Sequence, residues 1–168
     1  MLRAIRFVAK LGFTLHPGTA APIHELGPLL LQVSPARLFD EVAKLFLTGH
    51  GEATLVQMRK FGLLEALLGK AVEPLNDEQS AHSRLVQAIL QNTDQRIASD
   101  QHVTPAFLFA GLLWHHYCAQ LDKLTADGMQ HWQASQRAGH QTIDEQQAHT
   151  SIPRRFSVTI RDIWHLQK

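Results

Sequence analysis

Three groups of side chains in this sequence are of the types and spacings that do chemistry. Arg3, Arg6 and Lys10 recur at i, i+3 and i+7, so a helix through them stacks three cations along one side. Guanidinium groups offer planar paired donors that match phosphate oxygens, and an ammonium offers a point charge. Such a stripe can hold a nucleotide triphosphate or follow an RNA backbone; the solvated face of an ordinary surface helix carries the same pattern. His115, His116 and Cys118 form the second group. Neighbours on a helix point about 100° apart, so the two histidines do not close on one metal ion from one face. His115 and Cys118 share a face, but they supply only part of the ligand set that zinc requires. They read as core or edge histidines beside a small thiol. Arg154 and Arg155 are the third group, directly after Pro153. The first turn of a helix disfavours cations unless something anionic lies close, and that mismatch points towards RNA.

The motifs that would carry bond chemistry are missing. The sequence has no Gly-x-Gly-x-x-Gly, no Walker-type phosphate loop, no Gly-x-Ser-x-Gly and no His-Glu-x-x-His. Nucleotidyl transfer needs carboxylates that hold two metal ions, and no such set stands out. The chain by itself is therefore expected to be chemically inert and to hold no metal. Its 168 residues carry 16 basic and 15 acidic side chains, so it is not a strong polyelectrolyte. The charge is unevenly placed. Before Glu25 stand Arg3, Arg6 and Lys10 with no acid; after Ser151 stand Arg154, Arg155, Arg161 and Lys168 against Asp162 alone. That distribution predicts a local anion-binding surface rather than a basic coat. A single cysteine excludes an intramolecular disulfide and fits a reducing compartment. No apolar run approaches the ~20 residues needed to span a bilayer, and the N-terminus lacks the features of a signal peptide.

These groups must be positioned by helices, since no segment reads as a strand. The first runs to Gly12, with Leu2, Ile5, Val8 and Ala9 on its apolar side. It opens on two arginines without a cap or an acid, so its beginning is expected to lie upstream of Met1. Residues 17–32 have helical spacing interrupted by Pro22 and Pro28, which predicts a kinked or split helix. Ser34-Pro35 is a hydroxyl cap followed by proline, opening a helix that buries Leu38, Val42, Leu45 and Phe46 and stops at Gly49. Helices over 52–61 and 63–68 end at Gly62 and Gly69. Residues 70–79 show little periodicity and are the best linker candidate, dividing residues 1–70 from residues 71–168. Residues 80–98 predict a helix with Leu85, Ile89 and Ile97 inward. Thr104-Pro105 opens 106–121, apolar on nearly all sides and therefore the central buried helix. Residues 125–149 predict a largely solvated helix anchored by Met129 and Trp132. Ile152-Pro153 opens a last helix with Phe156, Ile160, Ile163 and Trp164 on one side. The fold class is an all-α, irregular multi-helix bundle.

Four blocks carry a family resemblance. LRAIRFVAKLGF, residues 2–13, resembles the segment that opens the neck of bacterial poly(A) polymerases and of their relatives, the CCA-adding tRNA nucleotidyltransferases. SPARLFDEVAKLF, residues 34–46, is similar to the next family block. TPAFLFAGLLW, residues 104–114, and IPRRFSVTIRDIWHLQ, residues 152–167, resemble blocks of the poly(A) polymerase branch. They occur in family order and span almost the whole chain.

The resemblance implies an all-helical neck (residues 1–70) and body (residues 71–168). In the whole enzyme, a mixed α/β head carrying the metal-binding carboxylates precedes this region and a basic tail follows it. ATP and Mg2+ would belong to that whole enzyme, with no cofactor in this chain. Carried over residue by residue, Arg3 and Arg6 would face the nucleotide or brace neck against head. Lys10, Arg154, Arg155 and Arg161 would contact RNA. Arg37 and Glu41, a candidate i,i+4 pair with Lys44 one turn beyond, would orient their helix against the first. The implied role is to bind RNA and position ATP while adenylates are added to an RNA 3′ end, in the cytoplasm. Apolar surface where the head would sit offers a route to self-association. CCA addition to tRNA, a stand-alone helical RNA-binding or interaction module, and a degenerate product without function remain the alternatives.

Overall fold

Glycine and proline divide the chain into short helices. A computed structural model describes residues 1–167; Lys168 lies outside the described residues, so its part in the basic C-terminal group has no structural account. Ten α-helices and two 3₁₀ segments follow one another, with no strand among the described residues. Helix α1, Leu2–Leu11, buries Leu2, Ile5 and Val8 and ends where Gly12 turns left-handed (φ 67°). The Gly12 N–H then reaches the Val8 carbonyl at 2.9 Å, the closure that a Cβ would strain. The proline-interrupted stretch is split as expected, into α2, Pro17–Leu26, and a 3₁₀ segment, Gly27–Gln32.

Helix α3, Pro35–Phe46, buries the four expected residues together with Phe39. Its Ser34 hydroxyl makes no capping bond, unlike Ser80, whose Oγ accepts from Ser83 N–H at 2.9 Å, and Thr104, whose Oγ1 accepts from Ala106 N–H at 3.3 Å. Helix α4, Gly51–Lys60, is capped from a distance. The Asp94 carboxylate accepts from Gly51 N–H at 2.8 Å and from Glu52 N–H at 3.1 Å. An acid at a helix N-terminus opposes the macrodipole favourably. Helix α5, Leu64–Leu68, runs into the second 3₁₀ segment, Gly69–Leu75. That segment covers most of the expected linker, yet it buries Ala71, Val72 and Leu75. Its apolar residues are too few to declare a period, but they pack.

Helix α6, Ala81–Ala98, faces the core with His82, Ser83, Val86, Leu90 and Thr93. The expected inward residues are displaced: Leu85 is 38% exposed, and Ile89 and Ile97 are half-buried. The anchor at the helix centre is Gly111, where a Cβ would lie 2.3 Å from Ile89 Cδ1; the absent side chain admits Ile89 against α7. The expected single central helix breaks at Leu113 into α7, Pro105–Leu112, and α8, Trp114–Ala126. Helix α7 is buried on nearly all sides; α8 buries Tyr117 alone. Helix α9, His131–Gln146, packs through small residues, Ala134, Ser135, Ala138, Gly139 and Thr142. Trp132 does not anchor it and is 62% exposed; Met129 is half-buried. Helix α10, Arg154–Leu166, lies on α7 and α9. Its Trp164 donates to the Ala110 carbonyl at 3.0 Å. One set of buried apolar side chains runs from Leu2 to Trp164 through both halves of the chain.

Candidate nucleic-acid interface

The basic residues fall on two regions joined by α3. Helix α1 rests on α4 and α3, so its apolar side is covered and its cations face outward. Arg3 and Lys10 are exposed and Arg6 is half-buried. None of the three enters an ion pair among the described residues, where the pairs are Lys44–Glu41, Arg59–Glu78, Lys70–Glu145 and His116–Glu145. Three unneutralised cations on one face form a local positive field open to an anion.

The second region is the joint between α3 and α10. Ser151 N–H donates to the Pro35 carbonyl at 3.0 Å, and Phe156 stacks on Phe39 with ring centres 5.5 Å apart. These contacts set the first turns of the two helices side by side. Neither first turn holds an acidic residue, and neither helix has a side-chain cap. Arg37 stands on one and Arg154 and Arg155 on the other, all exposed. The Arg155 guanidinium lies 4.7 Å from the Phe156 ring centre, which holds it in place by a cation–π contact without neutralising it. Two positive helix ends and three guanidinium groups thus share one corner.

The remaining candidates part company. The Glu41 carboxylate takes Lys44 at 3.1 Å rather than Arg37. Lysine at i+3 satisfies the acid, and Arg37 is left facing solvent. Arg161 folds back over Gly139, and its Nη1 lies 2.7 Å from the His140 ring nitrogens, one of which accepts from it when the ring is neutral. His116 pairs with Glu145 at 2.9 Å, and His115 tilts against His82. Cys118 does not complete a metal set with them. Burial first, then Asp122, pushes its thiol up to about 11. Among the described residues no three His, Cys, Asp or Glu side chains are grouped to hold a metal ion.

Arg59 is a basic residue that sequence reasoning passed over, and its task is structural. Its Nε donates to the Leu75 carbonyl at 2.7 Å, its Nη2 to Ser83 Oγ, and Glu78 approaches at 3.9 Å. Burial lowers its pKa, with Glu78 opposing. The Asp94 cap was also missed, because a carboxylate that caps a helix 43 positions away in sequence leaves no local signal.

Comparison with known proteins decides the family. Residues 12–74 match the family model "Probable RNA and SrmB- binding site of polymerase A", and residues 127–168 match "Polymerase A arginine-rich C-terminus". The chain belongs to the bacterial poly(A) polymerase family. It is 38% identical over 169 residues to Poly(A) polymerase I of Salmonella typhi, covering 99% of this chain and 36% of the relative. The match to Poly(A) polymerase I of Haemophilus influenzae is also 38% over 169 residues, covering 99% and 37%. A CCA-adding enzyme of Streptococcus pneumoniae is 31% identical over 110 residues, 66% of this chain and 26% of that enzyme. The chain spans about a third of the length of the poly(A) polymerases it matches. The Arg37 side of the α3–α10 joint lies in the first family model; Arg154, Arg155 and Arg161 lie in the second. The α1 stripe precedes both. No helix among the described residues is long and apolar enough to cross a membrane.

Proposed function

We propose that this chain is the RNA-holding portion of a poly(A) polymerase, gripping the strand whose 3′ end receives adenylates. The observation that carries the reading is the α3–α10 joint, where Arg37, Arg154 and Arg155 meet two helix N-termini that have neither acid nor side-chain cap. Left without an anion, that arrangement is self-repelling; a phosphodiester backbone relieves it. The outward α1 stripe supplies a second anion-binding surface. Arg3 and Arg6 would meet the triphosphate of ATP, and Lys10 the RNA. A positioning role of this kind lowers the entropic barrier to strand–nucleotide encounter. In this reading, bond-making falls to the metal-binding carboxylates that the family resemblance implies for the whole enzyme. Polyadenylation is preferred to CCA addition because the poly(A) polymerase likeness runs over 169 residues and the CCA-adding one over 110. A cytoplasmic site of action follows from the same reading.

The test is RNA binding to a labelled single strand across a range of salt concentrations. Each phosphate that is no longer neutralised should reduce the slope of log affinity against log salt by about 0.7. Arg154→Ala with Arg155→Ala should therefore flatten it by roughly 1.4, and replacing Arg3, Arg6 and Lys10 with alanine by about 0.7, the share of Lys10. Unchanged affinity and slope in both variants would refute the reading.

A further inference from the structure

The chain holds 3 tryptophans and 1 tyrosine, and all four line one hollow. Trp114, Tyr117, Trp132 and Trp164 border a cavity of about 610 Å³ between α8, α9 and α10. Packing explains part of this. Trp164 is buried, bonded to the Ala110 carbonyl, and stacked on Tyr117 with ring centres 4.6 Å apart. Tyr117 in turn hydrogen-bonds Ser135 at 2.9 Å. Packing does not explain Trp132. It stands in the first turn of α9 at 62% exposure, while the buried residues of that helix begin at Ala134 and run through Ala138, Gly139 and Ile143 to Gln146. An indole held at the mouth of an aromatic hollow is an open stacking surface.

The rest of the lining selects among occupants. His131, His165, Gln136 and Gln167 stand around the cavity, and imidazole and amide groups both donate and accept. A flat aromatic ligand with a hydrogen-bonding edge suits such a lining; an aliphatic side chain would leave those groups unpaired. The volume lies within the range of about 300–1,000 Å³ usual for small-ligand sites. A second hollow of about 350 Å³ adjoins the first, sharing Gln136 and His165. It adds Arg161 and His140, with Asp162 as its carboxylate. Cys118 faces the first hollow as a neutral thiol, since its pKa lies near 11, and so does not repel an anion.

We propose that this hollow is a nucleobase site, in which an unpaired base of single-stranded RNA stacks on Trp132 and the neighbouring phosphate lies at Arg161. The inference rests on the RNA-holding reading above and deepens it. The site lies outside residues 12–74, the stretch matched by the RNA-binding family model. It would add grip that depends on the bases, where the arginine joint grips the backbone.

Tryptophan fluorescence tests it directly, because every tryptophan of the chain reports on this one cavity. The full chain is titrated with an oligoadenylate and with an abasic ribose-phosphate oligomer of the same length. Oligoadenylate should quench the emission and bind about tenfold or more tighter than to Trp132→Ala, the loss expected when a stacking side chain is removed. Trp132→Phe should recover most of the affinity. The abasic oligomer should bind without quenching and should not distinguish wild type from Trp132→Ala. Because Trp132 is exposed, its removal leaves the core intact. Equal affinity of wild type and Trp132→Ala for oligoadenylate, or equal quenching by the abasic oligomer, overturns the nucleobase site while leaving the RNA-holding reading standing. Failure of wild type to bind either oligomer overturns both.

Discussion

Lowering the pH from 7 to 5 is expected to weaken this fold by about 2 kcal/mol through one side chain, His82. Its ring is 5% exposed, and neither ring nitrogen makes a hydrogen bond to protein. Burial, reinforced by the His115 ring with centres 5.5 Å apart, brings its pKa down from 6.5 to about 4 against the opposing effect of the Leu112 backbone. The unfolded chain takes up this proton near 6.5; the folded chain resists it until about 4. Between those values the unfolded state binds more protons, so stability falls as pH falls. The contribution is fully present above 6.5, and its loss is complete below about 4, amounting to about 3 kcal/mol across the whole window. Urea unfolding followed by circular dichroism at the two pH values, on wild type and on His82→Leu, isolates the effect, since every other titrating group is common to both. Wild type should lose about 2 kcal/mol more than the variant. Equal losses would mean that the buried imidazole accepts its proton at no cost to the fold, and the account of this site would be wrong.

Two further outcomes are expected. Asp94→Ala removes the carboxylate that holds Gly51 N–H at 2.8 Å and Glu52 N–H at 3.1 Å, which should lower stability by about 2 kcal/mol and the melting temperature by roughly 4–8 °C for a chain of this size; a melt that stays within about a degree of wild type would show that α4 needs no cap. Phe7, Leu11 and Phe13 are 48%, 49% and 64% exposed, so sedimentation velocity of the isolated chain should reveal self-association that grows with concentration, whereas a monomer at every concentration would count against that surface as sticky.

How far the fold was legible depended on whether the signal was local. Gly12, Ser80, Thr104-Pro105 and Pro28 each act on their own backbone, and each marks a real boundary, whereas Pro22 is carried inside α2. The buried stripe of α3 is likewise written in its own period. What escaped was set by partners. Helix α6 is long and amphipathic in more than one reading, and which side it turns inward depends on α7: Gly111 leaves room for Ile89 at the rim, so Val86 and Leu90 take the interior. The break at Leu113 could not be read from a run that is apolar throughout, since continuous hydrophobicity carries no phase. Residues 69–75 looked like a linker because a 3₁₀ segment repeats too briefly to declare itself, although three of its side chains are in the core.

The candidate site divides along the same line, and the division has a physical cause. Cations advertise themselves in sequence, but whether a cation is available is a property of its neighbours. Arg59 is drawn inward by the Leu75 carbonyl, Ser83 and Glu78; Lys44 takes Glu41 and thereby leaves Arg37 open; Arg154 and Arg155 are open because α10 begins without an acid. Aromatic residues invert the problem. A tryptophan in a helix reads as core, so Trp132 was expected to anchor α9. The first half of the stripe that anchors α9 consists instead of Ala134, Ser135, Ala138 and Gly139, residues too small to weigh in a search for apolar bulk, before Thr142, Ile143 and Gln146 continue it. Close approach of α8 and α10 to that small-residue face leaves no room for an indole between them. Trp132, at the helix start, is therefore left beside Trp114 and Trp164 at a cavity rather than under a neighbour. The same tight packing that made the residue unreadable as a contact is what makes its ring available for stacking.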